Sequence, residues 1–321
     1  MNAQEYEDED VYLFGLIVSI LSLLGCLFMM LSYWFVYELR RLPAYKLIFN
    51  LALADFLLTL NGLFTIQFPS PTLNDNFCYI WGIYRQYAMI ASFCWPFLFG
   101  HVLFAFYHGR FRSSRDIHNR FYLIALFGWG LPILFTIIPI FFDAYGDAHF
   151  YCWLDEEKFL RDPDVWVYLV FGCFYIPIFL LGLIVSFYYF KIIVSVCRTR
   201  KEERPPLLEL LFYPGLFLIR VALTAVDRFW DLNNTRDIYW MFTSHLILGQ
   251  AQGFLNFVAY GMSERVRNAI KKSWQGESGT SSTRTNSGGL NISLQEITIL
   301  PSGRTPSTNS SFIFPSQRHS Y

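Results

Sequence analysis

The chain has 321 residues, 54% hydrophobic, 20% aromatic and 16% charged, and its 25 basic and 25 acidic side chains sum to a net charge of zero. A composition this apolar, gathered into long runs with short connections, leaves no room for a soluble catalytic domain, and nothing in it suits a nucleic acid polymer. Function must then lie inside a helix bundle or at its two faces.

The first ten residues include Glu5, Glu7, Asp8, Glu9 and Asp10 and no basic side chain. A cleaved signal peptide wants a positive start and a small-residue cleavage site, so residues 1–10 read as an acidic extracellular N terminus ahead of an uncleaved signal anchor. Seven apolar runs follow, near 11–37, 47–68, 77–106, 120–142, 164–197, 207–232 and 238–261. Each has the roughly 20 apolar residues that carry a helix across about 30 Å of hydrocarbon. Pro96, Pro132, Pro139, Pro177 and Pro214 fall within these runs. Neighbouring helices in a membrane bundle can satisfy the carbonyls that such prolines free. The expected fold is an all-α membrane protein, a seven-transmembrane-helix bundle over 11–261.

Charge sorts by side. The connections 38–46, 107–120 and 198–206, with 262–274, hold Arg40, Arg41, Lys46, Arg110, Arg112, Arg115, Arg120, Arg198, Arg200, Lys201, Arg204, Arg265, Arg267, Lys271 and Lys272. The opposite side has only Arg85, Lys158, Arg161, Arg228 and Arg236. Lys/Arg bias sets orientation, so the basic side reads as cytoplasmic, with the N terminus outside and the C terminus inside. Loop 143–163 on the outer side carries Asp143, Asp147, Asp155, Glu156, Glu157 and Asp162. It reads either as a solvated loop or as a field favouring cationic and neutral ligands.

Cys26, Cys94 and Cys173 lie deep in the runs and Cys197 at a basic helix end. Cys78 and Cys152 alone share the oxidising side, so a Cys78–Cys152 disulfide is expected, two free thiols being the alternative. After the seventh run, Gly261 reads as a helix breaker. Val266, Ala269, Ile270 and Trp274 then recur at helical spacing beside Arg265, Arg267, Lys271 and Lys272. Residues 262–274 read as a short amphipathic eighth helix along the inner leaflet. Residues 275–321 carry 17 Ser/Thr and few large apolar side chains, and read as a disordered cytoplasmic tail suited to regulatory phosphorylation or as an inert linker. The Asn233-Asn234-Thr235 sequon offers Asn233 for glycosylation near the membrane.

Ionisable groups inside a bilayer are costly and mark function. Asp55, in LALAD, lies about 13 Å into the second run at 1.5 Å per residue. Asn256 and Tyr260 stand four apart in NFVAYG on the seventh. Asp55 and Asn256 can meet across the two helices, as a polar switch or as static polar glue. His101 and Arg220 are also deep. Asp227, Arg228 and Asp231 gather near the outer end of the sixth run, where Arg228 either neutralises the two carboxylates or lines a ligand cavity. A retinal Schiff base needs a lysine in 238–261 and there is none. A zinc hydrolase needs about three His ligands with carboxylate help, and only His101 and His245 sit in the runs. No enzyme, cofactor or metal centre is expected. A transporter or channel with a polar path through Asp55, His101 and Arg220 stays open, as does a scaffold acting through the tail.

KLIFNLALADFL (46–57), ASFCW (91–95), YCW (151–153), YPGLFLI (213–219), Arg228-Phe229-Trp230-Asp231, and FLNFVAYG followed by SERVRNAI (254–270) occur in order across the bundle. Together they resemble the G-protein-coupled receptors of the slime-mould cyclic-AMP-receptor type, a group that includes a plant seven-span protein. The resemblance implies a non-enzymatic receptor that senses a small extracellular ligand and exchanges nucleotide on a heterotrimeric G protein. It also implies the Cys78–Cys152 disulfide, a polar core at Asp55, Asn256 and Tyr260, and a helix 6 that swings about Pro214. Arg110, Arg112, Arg115 and Arg200 would border the G-protein cleft, and the tail would meet receptor kinases or arrestin-like proteins. FYHGR at the inner end of the third run, and Phe257 in place of a proline, depart from the rhodopsin-like pattern. Cys152-Trp153-Leu154 also resembles secretin and adhesion receptors, whose large extracellular domains ten acidic-rich residues cannot supply. A cyclic nucleotide would want convergent cations. Arg85, Arg228 and Arg236, with Lys158 and Arg161 above them, are the candidates, and the acidic loop opposes them.

Overall fold

A computed structural model describes residues 3–67, 74–108, 110–111, 114–148, 151–155, 163–198, 211–233 and 239–275, with backbone alone at 3–12, 66–67, 107, 114, 163, 166, 195–198, 227–233 and 239–246. The seven runs become helical crossings. The first four are α1 (Ala3–Phe35), α3 (Pro43–Gln67), α4 (Asp75–Tyr107) and α5 (Ser114–Phe141), with the single turn α2 (Tyr37–Arg40) between α1 and α3. The fifth joins α6 (Pro163–Val170) to α7 (Ile176–Arg198) through a π-helical turn, Phe171–Tyr175. The sixth is α8 (Phe212–Asn233) and the seventh α9 (Tyr239–Met262). Among the described residues, α1, α3, α4, α5 and the fifth crossing each hold a stretch long and apolar enough to span a bilayer. Leu24, Leu126, Leu183 and Phe190 stand outward and exposed, as lipid-facing side chains must.

The bundle closes because α1 packs on α3 and α9, while α4 runs through the middle against α3, α5, α7 and α8. Lipid gives no hydrophobic drive between helices, so close packing of small residues has to supply it. The α1–α9 seam shows this. Any side chain on Gly253 would collide with Ser22 and Cys26, and Phe257 lies against Gly25. With Gly at 253, the Ser22 hydroxyl accepts the Phe254 N–H at 3.1 Å. Trp95 and Trp129, 5.4 Å apart, tie α4 to α5, and the Trp129 indole donates to Asn50 of α3 at 3.0 Å.

At one end, β1 (Tyr145–Asp147) and β2 (Cys152–Leu154) pair antiparallel, Gly146 opposite Trp153. The loop is thus not only the solvated acidic segment its charges suggested: Ala144, Tyr145, Trp153 and Leu154 are buried on the bundle. Burial, with the Cys173 thiol and Tyr79 phenol nearby, pushes the Tyr145 phenol well up. It therefore stays protonated and donates to the Thr136 carbonyl at 3.0 Å. At the other end α9 runs through Gly261, which does not break it, to Met262. Helix α10 (Glu264–Trp274) then buries Val266 and Ala269 and leaves Trp274 89% exposed. Arg267 donates to the Gly261 and Met262 carbonyls and so caps the end of α9.

Candidate functional site

Among the described residues, the polar side chains within the spans form two clusters and a set of isolated contacts. The midsection cluster begins at Asp55, 1% exposed on α3, whose Oδ2 accepts from Asn256 Nδ2 of α9 at 2.7 Å. Its Oδ1 has no hydrogen-bond partner. Thr59, one turn on, donates to the Asp55 carbonyl at 2.8 Å and reaches Ser22 of α1 at 3.4 Å. Arg220 of α8, 5% exposed, donates through Nη1 to Ser92 of α4 at 2.7 Å and to Gln252 of α9 at 2.5 Å. Its guanidinium lies 3.9 Å from the Phe93 ring centroid, and its charge acts on Asp55. One charged side chain thus joins α4, α8 and α9. Ser92 and Gln252, its partners, carry no charge, and neither was singled out by the sequence, although Ser92 lies in the ASFCW segment.

Beneath the hairpin lies the second cluster. Cys78 and Cys152 are joined, Cα atoms 5.1 Å apart, which fastens β2 to α4. The Trp153 indole donates to Gln86 Oε1 of α4 at 2.6 Å, and Gln86 Nε2 donates to the Cys173 carbonyl at 3.2 Å, inside the π-helical turn. Pro177, four residues on, has no N–H to offer that carbonyl, which is therefore left for a side-chain donor. Here that carbonyl couples the hairpin to the fifth crossing. Arg85, read from sequence as an outer-side residue, is instead ten residues inside α4 and 7% exposed. It donates to Asn61 Oδ1 of α3 at 3.0 Å and lies 3.8 Å from the Tyr151 ring centroid.

Three expected members fall elsewhere. His101 does not join the polar core: it bonds to Tyr188 of α7 at 3.0 Å, nearer the basic end. Tyr260 bonds to Ser32 of α1 at 2.8 Å, not to Asp55, and sits edge-on to Tyr45. Pro214, about which the sixth helix was expected to swing, is the third residue of α8. A proline near a helix start breaks no helical hydrogen bond. Arg110 and Arg115 are exposed at the basic end. Lys158, Arg161, Arg200, Arg112 and Arg236 lie outside the described residues, as do the side chains of Asp227, Arg228, Asp231, Asn233 and His245.

Residues 9–256 match the family model described as "7 transmembrane receptor (Secretin family)". The chain is 26% identical over 250 residues to "Cyclic AMP receptor-like protein A" of Dictyostelium discoideum, covering 77% of this chain and 62% of that protein. It is 25% identical over 268 residues to "G-protein coupled receptor 1" of Arabidopsis thaliana, 78% of each chain. It is 24% identical over 272 residues to "Latrophilin receptor-like protein A" of Dictyostelium discoideum, 79% of each. The family match lies in the bundle, so the short acidic N-terminal stretch, which seemed to count against secretin-type receptors, does not decide the family. A multi-pass helix bundle with a disulfide-anchored hairpin, matched by this model over most of its length, belongs to the secretin family of seven-transmembrane receptors.

Proposed function

We propose that this receptor binds a small extracellular ligand at its hairpin end and promotes nucleotide exchange on a heterotrimeric G protein at its basic end. The observation that carries this reading is the buried midsection network, in which Asp55, Ser92, Arg220, Gln252 and Asn256 link α3, α4, α8 and α9 between those two ends. Polar groups this deep are costly in lipid and are kept where they have work to do. A network with an unpaired carboxylate oxygen has a second way to bond, which is what a two-state element needs. The hairpin end, which carries the disulfide, is taken as the outer side and the basic end as the inner one, which the Lys/Arg bias supports. Arg110 and Arg115 then flank the G-protein surface together with Arg112 and Arg200. Helix α10 lies along the inner leaflet, and the 275–321 tail is the segment for receptor kinases or arrestin-like proteins. Asn233 is the glycosylation site on the outer side. Cyclic AMP is one candidate ligand, supported by the name of the slime-mould relative and by Arg85. Lys158, Arg161, Asp227, Arg228 and Asp231 are the further candidates to line the entrance.

The network is tested at Asp55. Asp55→Asn keeps an acceptor for Asn256 but loses the charge. Asp55→Ala leaves a buried donor unpaired, which costs about 1–3 kcal/mol, enough to move a two-state balance by roughly five- to 150-fold. Both variants are expected at the cell surface, with nucleotide exchange altered in the order Ala > Asn. Exchange identical to the parent chain in both variants would remove Asp55 from the switch.

A further inference from the structure

Around Arg85 the bonding is unbalanced. Its Nε has no hydrogen-bond partner, and neither have Asn61 Nδ2, Thr65 Oγ1, Trp81 Nε1 or Gln250 Oε1, all of them buried atoms. These groups sit together. Asn61 and Thr65 are one turn apart on α3, and Trp81 and Arg85 one turn apart on α4. Arg85 bonds to Asn61, Phe64 packs on Trp81 at 4.0 Å between centroids, and Gln250 of α9 lies against Gly62. Three of the five free atoms can only donate, Thr65 can donate, and one alone is a pure acceptor. No carboxylate among the described residues pairs with the Arg85 guanidinium. A buried charge without a counter-ion costs several kcal/mol. Water could satisfy the neutral amides, but it cannot supply the missing negative charge.

We infer that the cluster between α3, α4 and α9, beneath the Tyr151 ring, binds the anionic group of the ligand, a carboxylate or phosphate. The Arg85 guanidinium is the counter-charge, and Asn61, Thr65 and Trp81 are the neutral donors. Carboxylates and phosphates accept in the plane that a guanidinium fork presents, and such charge-assisted bonds are about twice as strong as neutral ones. The acidic hairpin does not forbid this. Exposed charges are screened within about 8 Å at physiological salt, whereas a desolvated pair is not. The inference rests on the ligand-binding reading above and narrows it to a chemical class.

The test uses the full chain in phosphatidylcholine nanodiscs. Its melting temperature is followed against millimolar succinate, inorganic phosphate and adenosine monophosphate, with matched sodium chloride as control. A rise with at least one of the three anions is expected, and the anions that act separate carboxylate from phosphate recognition. A rise on exchanging phosphatidylcholine for phosphatidylserine, without added anion, would identify a lipid headgroup as the source of the same chemistry. Arg85→Gln is expected to abolish the anion-dependent rise while leaving the anion-free melting temperature equal or higher, because an uncompensated buried charge has gone. A purely structural arginine would show the reverse, a lower anion-free melting temperature. Indifference to all three anions and to the lipid, or an equal rise in Arg85→Gln, overturns the inference. Ligand-free nucleotide exchange on the same discs reports separately on the receptor reading, which survives that failure.

Discussion

Arg220→Met is expected to raise ligand-free nucleotide exchange roughly tenfold or more, since each hydrogen bond from a charged donor is worth about 1.5–3 kcal/mol and 1.4 kcal/mol is a factor of ten. The side chain holds α8 to Ser92 of α4 and Gln252 of α9, and stacks on Phe93. A receptor that opens its basic end by moving the sixth crossing has to break such bonds, so a chain that lacks them starts nearer the open arrangement. Methionine retains most of the packing length and isolates the loss of the donor. The measurement is exchange per surface-expressed receptor, for parent and variant side by side. Equal basal exchange would mean that the bonds persist in both arrangements, and that Arg220 fastens the bundle without biasing it.

Replacing Cys78 and Cys152 together by Ser should be the most damaging change at the hairpin end. The bridge closes a loop with a sequence separation of 74, for which chain entropy gives an upper value of about 4.5 kcal/mol. The spans keep their helices in lipid even when the bundle loosens, so the full value is not reached. The hairpin is also held by Trp153 on Gln86 and by Tyr145 on the Thr136 carbonyl. The expected result is a bundle that still inserts, with at least a tenfold fall in ligand affinity and a lower surface level. Surface immunodetection with a binding isotherm on the same cells checks it. Parent-like affinity would show that the side-chain bonds hold the hairpin by themselves.

Much of this architecture was legible from residue type and spacing. Apolar runs place membrane helices because lipid tolerates no unpaired backbone. Cys78 and Cys152, read as the two cysteines outside the deep runs, are joined, and Asp55, an ionisable group deep in its run, does meet Asn256. Arg85 was misread as an outer residue because a single arginine near a run's end carries no depth mark; its ten-residue offset from the start of α4 is what buries it. His101 looked like a core residue by depth alone, but which neighbour a helix face meets is decided by packing, and its face meets Tyr188. Asn61, Gln86, Ser92, Gln250 and Gln252 were passed over because neutral amides and hydroxyls interrupt no apolar run. The signal that could have found them is that any amide within a span must find a partner. The π-helical turn at Phe171–Tyr175 did carry a signal: Pro177 has no N–H for the Cys173 carbonyl four residues back, and Gln86 bonds to that carbonyl instead.

The most direct measurement is guanine-nucleotide exchange on a panel of heterotrimeric G proteins, in membranes bearing the full chain and in empty membranes. The account predicts exchange above the empty-membrane level on at least one G protein, raised further in Arg220→Met. Background exchange on every G protein, for both chains, with the Cys78–Cys152 bridge formed and the protein at the surface, would contradict it.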